Sequence, residues 1–306
     1  MDLSIIIVNY NSANHVINCI DSILQCKMKI SYEIILVDNC SSQEDTQSIQ
    51  KRFPDVQLLQ MGYNAGFARA NNRGIEKSKG AYILLLNADT LVRENAIERV
   101  YHSFSSQEKY IACGVQLLNA DGTLQHSGAK FVKGGTNTLL PLPYLGKFIK
   151  KSATKMSFSQ PNVFEVSNDI EVDWVVGAFI LTSRKVIEKA GKLDEDFFMY
   201  AEEVDWCQQV RRAGWAIWQQ PAALVTHIGG ASSRQFRGAM LKALWQSRLH
   251  YWARWCAPHE VWWHRCWLRL GMWRLQWLAW WQYRRGALTH AEYQVQATVY
   301  REIRAL

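Results

Sequence analysis

An α/β fold with a mostly parallel sheet flanked by helices is the class this sequence predicts, and three observations carry it. Residues 3–8, 33–37 and 82–86 are apolar runs without period-two alternation, the pattern of strands covered on both faces. Each is followed by a stretch with helical periodicity. Each also ends in Asn or Asp: Asn9, then Asp38-Asn39, then Asn87-Ala88-Asp89. In a parallel sheet those endings share the carboxyl edge, where open α/β sheets bind ligands.

In chain order, Ser12-Ala13-Asn14 starts a helix whose buried face is expected at Val16, Ile20, Ile23 and Leu24. A second helix begins at Ser42 or Gln43, and a strand over 56–60 follows Pro54. Gly66 then allows a tight turn into a helix that brings Ala68, Ala70 and Asn71 close to a bound ligand. After Thr90 a helix is expected over 94–100. The segment 134–170 carries Pro141, Pro143 and several lysines with no period, as in a substrate-side insertion or flexible loop. Residues 173–181 form another buried strand, with Gly177-Ala178 where a bulky side chain would obstruct a ligand. A helix runs from Glu202 toward Gly214, and a strand over 222–225 precedes His227. From Gly238 two helices are expected, one over about 240–256 and one from Pro258 to just before Gly286.

Charge and tryptophan are unevenly placed. The chain of 306 residues has a net charge of +8. From Ala231 onward there are twelve Lys and Arg against three Asp and Glu, so 12 − 3 = +9 lies in the tail. Ten of the fourteen Trp lie between Trp245 and Trp281. Such a density calls for a large apolar contact or a lipid interface. No run reaches the roughly 18 apolar residues of a spanning helix. Asp2 without a basic flank argues against a signal peptide. Seven cysteines with no C-x-x-C pairing read as reduced thiols in a cytosolic compartment.

The polar strand ends are the candidate site. Asp89 at a sheet edge is able to hold a divalent metal against a diphosphate, or to cap a helix. Asp38 is able to accept the imide N–H of uracil or thymine, or again to cap. Asn9, Asn11, Asn39, Asn64, Arg69, Asn71 and Asn87 are candidates for ribose and diphosphate contacts. The turn after the first strand, Asn9-Tyr10-Asn11-Ser12, has neither G-x-G-x-x-G nor G-x-x-x-x-G-K, which counts against a Rossmann dinucleotide site and a P-loop.

The ordered set Ser-Ile-Ile-Ile-Val-Asn-Tyr-Asn, Val-Asp-Asn-x-Ser, Asn-x-Gly-Phe-x-x-x-Asn-Asn-x-Gly and Leu-Leu-Asn-Ala-Asp resembles the donor half of glycosyltransferase family 2, above all its rhamnosyltransferase-like branch. The resemblance covers roughly residues 3–252. It implies a GT-A fold, a nucleotide-sugar donor, Mg2+ or Mn2+, and transfer with inversion. The stretch from Gly191 to Asp205 resembles the family's Gly-x-x-Asp-Glu-x-Phe-Phe-x-Tyr-x-Glu-Asp-x-Asp, with Glu203 where the family usually has the Asp that serves as base. Glu203 or its neighbour Glu202 is therefore the candidate base. His227-x-x-Gly-x-Ser resembles the family's late metal- or diphosphate-contacting histidine, so Asp89 and His227 are the candidate metal ligands, with Gly177 and Ala178 beside the sugar.

The expected organisation is a GT-A domain over 1–237, with donor half 1–130 and acceptor half 131–237, and a Trp/Arg-rich helical extension over 238–306. The resemblance favours dTDP-rhamnose, with UDP-sugars as the alternative, and a polyprenyl-diphosphate-linked or oligosaccharide acceptor. It further implies a cytoplasmic protein held peripherally on the cytoplasmic face of the inner membrane. At 100° per residue Trp263, Trp267, Leu270, Trp277 and Trp281 share one face of the second C-terminal helix, with Arg265, Arg269 and Gln276 roughly opposite and Leu268, Met272 and Leu275 interrupting the division. A homodimer through the C-terminal helices competes with that membrane role for the Trp face, and no nucleic-acid partner is expected. A reading of a different class is a non-catalytic sugar-nucleotide-binding subunit of a polysaccharide assembly complex.

Overall fold

The computed structural model describes residues 1–105, 112–130, 168–229 and 237–306. Nearly all of the Pro- and Lys-bearing segment 134–170 lies outside the described residues, as do Gly230 and Ser232 of the His227 motif. The described residues form two compact units, one of residues 1–105, 112–130, 168–198 and 202–229, the other of residues 199–201 and 237–306.

The first unit is built on parallel strands β1 (Leu3–Asn9), β2 (Tyr32–Asp38), β3 (Gln57–Gln60) and β4 (Tyr82–Asn87). Helices α1 (Ala13–Gln25), α2 (Gln43–Arg52) and α3 (Phe67–Lys77) connect them. The long-range order is β3-β2-β1-β4-β11-β6-β12-β5, where β11 is Phe179–Ser183, β6 is Ala112–Leu118, β12 is Ile217–His227 and β5 is Thr90–Val92. Register pairs Asn9 with Asp38 and Val8 with Asn87, so the polar endings line one edge. β11 runs antiparallel between β4 and β6, and β12 returns parallel to β6. β5 then pairs antiparallel with the end of β12, setting His227 opposite Thr90.

Both sheet faces are covered, as the unbroken apolar runs require. Ile5 and Ile7 join Val16, Ile20 and Ile23 in one core, while Ile6, Ile35 and Val37 join Ala68 and Ile75 in the other. Each fully buried Val or Ile among them contributes about 1.5–3 kcal/mol. Leu24 is 45% exposed, contrary to the expected buried face; Cys19, four residues before Ile23, takes the inward position. Gly66 has φ of +83°, and a Cβ there would strike the Phe198 backbone, so the turn into α3 requires glycine.

The stretch 173–181 is not one strand. Trp174–Val175 (β10) leaves to pair with Gly128–Ala129 (β8), and β11 begins only at Phe179. The break at Val176-Gly177-Ala178 is fixed from both sides, with Val176 N–H donating to Ser127 O (3.0 Å) and Asn87 N–H to Ala178 O (3.0 Å).

The second unit holds helices of residues 237–255 (Arg237–Trp255), 258–284 (Pro258–Arg284) and 290–305 (His290–Ala305). After α4 (Ala96–Ser105), α5 (Arg184–Ala190) and α6 (Glu202–Arg212) of the first unit, these are α7, α8 and α9. α9 was not among the expected elements; Thr289 starts it with a capping box, its hydroxyl accepting from Glu292 N–H (3.2 Å) and its N–H donating to the Glu292 carboxylate (2.8 Å). Trp245, Leu249, Leu268, Met272 and Ile303 form the core. The stripe that α8 buries is His264, Leu268, Gly271, Met272 and Ala279. Leu268 and Met272, which interrupt a clean Trp face in the sequence, are thus the inward residues. Trp262, Trp263, Trp273, Trp277, Trp280 and Trp281 are exposed, at 38% to 62%. Among the described residues no helix is long and apolar enough to cross a membrane.

Candidate active site

The edge where β1 and β2 end is a closed polar network. Asn9 donates through Nδ2 to Asp38 Oδ1 (3.0 Å) and Asp45 Oδ2 (2.7 Å), and its Oδ1 accepts from the Ser12 hydroxyl (3.0 Å). Asp38 also accepts Ser41 N–H at Oδ2 (3.2 Å), and its side chain is buried. Asn11, at φ of +48°, accepts Ser42 N–H (2.8 Å) and donates its own N–H to Ser41 Oγ (2.9 Å). Asn39 donates to Asn64 Oδ1 (2.9 Å) and accepts Ala65 N–H (2.8 Å). The structure therefore brings Asn9, Asn11, Asp38, Asn39 and Asn64 together.

The α3 candidates separate. Asn71 is buried and returns its amide to Phe67 O (2.9 Å) one turn back. Arg69 reaches Glu195, its Nε donating to the backbone oxygen at 3.2 Å. Asn72, which sequence reasoning passed over, ties α3 to the next stretch, donating to Leu193 O (2.8 Å) and Glu195 Oε1 (3.0 Å) while accepting Leu193 N–H (3.2 Å).

Asp89 sits in the turn between β4 and β5. Thr90 Oγ donates to Asn87 O (2.7 Å) inside that turn, and Asp89 O accepts Ile228 N–H (2.9 Å) from the end of β12. That backbone link and the β5–β12 pairing bring His227 Nε2 to 3.3 Å from Asp89 Oδ1, with the two side chains 13% and 14% exposed. Burial alone would raise the Asp89 carboxyl; the hydrogen bond and charge of His227 outweigh it and, with His15 adding to them, hold the group below the usual carboxylate value. Asn87 Oδ1, in the same turn, is buried without a hydrogen-bond partner. A carboxylate oxygen and an imidazole nitrogen converging here are donors of the kind that hold Mn2+ or Mg2+, so the residues fit such an ion.

The acids of α6 lie against the break between β10 and β11. A Cβ placed on Gly177 would meet the Glu203 side chain at 3.6 Å, so the acid lies over the side of this glycine where a side chain would stand. Gly177 and Ala178 thereby connect Glu203 to the Asn87 turn. Glu202 is buried, 5% exposed, with Oε2 unpartnered. Burial, and next the charge of Glu203, push its carboxyl well above the usual range. Asp205 is fully buried and accepts from Gln209 (2.6 Å), which makes it a structural member of the helix. Gln125 was also missed: its Oε1 lies 2.7 Å from His227 Nδ1. The only sequence signal near it was the Asp121-Gly122 turn, which announces a hairpin and no chemistry.

A wide sheet with its polar strand ends on one edge and an acidic helix across from them is the architecture of GT-A glycosyltransferases. Solved structures agree in fold. The chain superposes on GalNAc-T7, solved with UDP, GalNAc and Mn2+, with TM-score 0.56 at 17% identity, over 74% of this chain and 43% of that one. It superposes on the mannosyltransferase PcManGT of Pyrobaculum calidifontis, solved with GDP-Man and Mn2+, with TM-score 0.53 at 14% identity, over 98% and 84% of the two chains. A family profile described as "Glycosyl transferase family 2" matches residues 4–162, just over half of the 306 residues, and the chain belongs to that family. Among its relatives is the N-acetylglucosaminyl-diphospho-decaprenol L-rhamnosyltransferase of Mycobacterium tuberculosis, 25% identical over 85% of this chain and 86% of the relative. The rhamnosyltransferase WbbL of Escherichia coli is 24% identical over 73% and 83% of the two chains. The hexosyltransferase Agl10 of Haloferax volcanii is 30% identical over 69% and 62%.

The raised carboxyl of Glu202 carries a pH signature. Its folded-state pKa lies above the ordinary glutamate value of 4.5, so between 4.5 and the raised value the folded chain holds a proton that the unfolded chain has lost. Stability contributed by this group therefore falls as pH rises through that window. Glu202→Gln is expected to raise the melting temperature at pH 7 and to leave it nearly unchanged at pH 4. Equal gains at both pH values in thermal melts would show that burial does not keep this carboxyl protonated.

Proposed function

We propose that this chain is an inverting, metal-dependent glycosyltransferase that moves rhamnose from dTDP-rhamnose onto a polyprenyl-diphosphate-linked or saccharide acceptor in cell-surface polysaccharide synthesis. The observation that carries the reading is the convergence of Asp89 and His227 at the carboxyl edge of the parallel strands, on the same turn that Ala178 and Gly177 connect to Glu203. The activities by which the M. tuberculosis and E. coli relatives are named support rhamnose as the sugar, and the first of these supports a polyprenyl-diphosphate acceptor.

In this reading Asp38 recognises the base. Each of its oxygens accepts one internal bond, and a carboxylate oxygen has a second lone pair for an imide N–H. Asn9, Asn11, Asn39 and Asn64 hold that carboxylate and the nucleoside floor in place. Asp89 and His227 hold the cation, which when bound neutralises charge on the departing diphosphate. Glu203 takes the proton from the acceptor hydroxyl as its oxygen attacks the anomeric carbon, the bond to the diphosphate breaking on the opposite side. Glu202, buried and pushed toward its neutral form, is the poorer base of the two. The extra methylene of Glu203 relative to Asp is accommodated beside Gly177, where no side chain competes for the space.

The same reading places the protein peripherally on the cytoplasmic face of the inner membrane. The exposed Trp262, Trp263, Trp273, Trp277, Trp280 and Trp281 share one helix with Arg265, Arg269 and Arg284, and Arg285 caps its end. Arg285 stacks 3.6 Å over the ring of Trp281. Each basic group near an anionic leaflet contributes about 1 kcal/mol, and indole rings anchor at the headgroup level.

Two measurements test the reading. Glu203→Gln is expected to lower turnover of dTDP-rhamnose by roughly 10² to 10⁴ with donor affinity little changed. An inactive Glu202→Gln beside a near-normal Glu203→Gln would move the base by one residue, and no turnover with dTDP-rhamnose or any UDP-sugar would favour the non-catalytic subunit. In flotation, the protein is expected to bind anionic liposomes at low salt, to release at high salt, and to lose binding when residues after Gly238 are deleted. No association at low salt, together with a stable dimer in solution, would assign the Trp face to a homodimer interface.

A further inference from the structure

We propose that Gln125 is a positioning residue that fixes the tautomer of His227, anchoring a proton on Nδ1 so that Nε2 is the nitrogen presented to Asp89 and to a cation. The polarity is set from the far end of a hydrogen-bond chain. Asp121, on the exposed turn before Leu124–Gln125 (β7), accepts from the Thr123 hydroxyl (2.6 Å) and the Thr123 N–H (2.9 Å). A carboxylate has no proton to give, so the Thr123 hydroxyl is committed as a donor there and accepts from Asn119 Nδ2 (2.9 Å). Asn119 Nδ2 also points toward Leu124 O (3.4 Å), which leaves Asn119 Oδ1 to accept from Gln125 Nε2 (3.0 Å).

Gln125 Nε2 donates as well to His227 O (3.3 Å), so both bonds of its NH2 group end on oxygens. Turning the amide over would set its oxygen against those two oxygens. Gln125 Oε1 therefore faces His227 Nδ1 at 2.7 Å, and a bond of that length to an amide oxygen requires Nδ1–H. Nε2, 3.3 Å from Asp89 Oδ1, is then the nitrogen whose proton a binding cation displaces. Once that proton has left, the Nε2 lone pair and the Asp89 carboxylate are two donors to the same ion. A ligating histidine held by its second nitrogen is the usual way such a ring is oriented.

Gln125 is itself held firmly. It pairs with Leu117 across β6 and β7, and its backbone oxygen accepts from the Ser127 hydroxyl (2.8 Å) and Gln116 Nε2 (3.0 Å). The tautomer follows from this network alone; only its consequence for metal affinity rests on the proposed function.

The test is long-range 1H–15N correlation of histidine-labelled protein at a pH where the ring is neutral, joined to titration with Mn2+ alone. Wild type is expected to show the Nδ1–H tautomer. Gln125→Leu should shift His227 to Nε2–H. Mn2+ affinity should fall about 10- to 100-fold in Gln125→Leu. An Nε2–H tautomer in wild type, or an unchanged Nδ1–H tautomer in Gln125→Leu, overturns the proposal. If the tautomer moves as expected while no variant changes Mn2+ binding, the positioning role stands and the metal assignment of His227 falls. Should Gln125→Leu not fold, Thr123→Val breaks the chain at an exposed position; it is expected to raise the Nε2–H share, and an undiminished Nδ1–H signal overturns the proposal.

Discussion

The antiparallel pairing of Thr90–Val92 with the end of the long strand Ile217–His227 is the constraint on which the candidate site depends. Asp89 reaches the sheet edge at the end of its own apolar run, but histidine arrives there only because a strand more than 120 residues later returns to the same edge. The backbone bond from Ile228 N–H to Asp89 O fixes the approach. Without that closure Asp89 would be one more polar strand end.

Parallel strands impose the rest. Because the Leu3–Asn9, Tyr32–Asp38 and Tyr82–Asn87 strands run in one direction and in register, their polar endings have nowhere to go but one edge. The inserted antiparallel strand Phe179–Ser183 then brings Gly177 and Ala178 to the same turn, and with them the acidic start of the Glu202–Arg212 helix. Burial gives the two glutamates of that start different characters: Glu202 is enclosed and pushed toward its neutral form, while Glu203 lies against a glycine. Adjacent residues of one type are separated in chemistry by the packing around them.

Much of this was legible in the sequence. Unbroken apolar runs gave both faces of the sheet, and their Asn and Asp endings marked the edge, since neither signal depends on distant contacts. The parts that were not legible are long-range. The break at Val176–Ala178 hides inside an apolar run because Gly177 alone does not say whether a strand bends or ends. In the C-terminal helices, Leu268 and Met272 looked like flaws in a Trp face, because the aromatic rings dominated the pattern; their spacing with His264 and Ala279 marks the inward stripe. The third helix was announced by Thr289 and Glu292, a capping box easily passed over beside so many Trp. Gln125 and Asn72 could not be found at all, since each acts on a partner about a hundred residues away.

The central claim is that Asp89 and His227 form a divalent-cation site serving a bound nucleoside diphosphate. Calorimetric titration of dTDP and UDP into wild type and Asp89→Ala, each with and without Mn2+ and each shown folded by circular dichroism, tests it most directly. The account predicts that Mn2+ strengthens binding of at least one of the two nucleotides to wild type and that the increment vanishes in Asp89→Ala. An equal Mn2+-dependent increment in both proteins would contradict it.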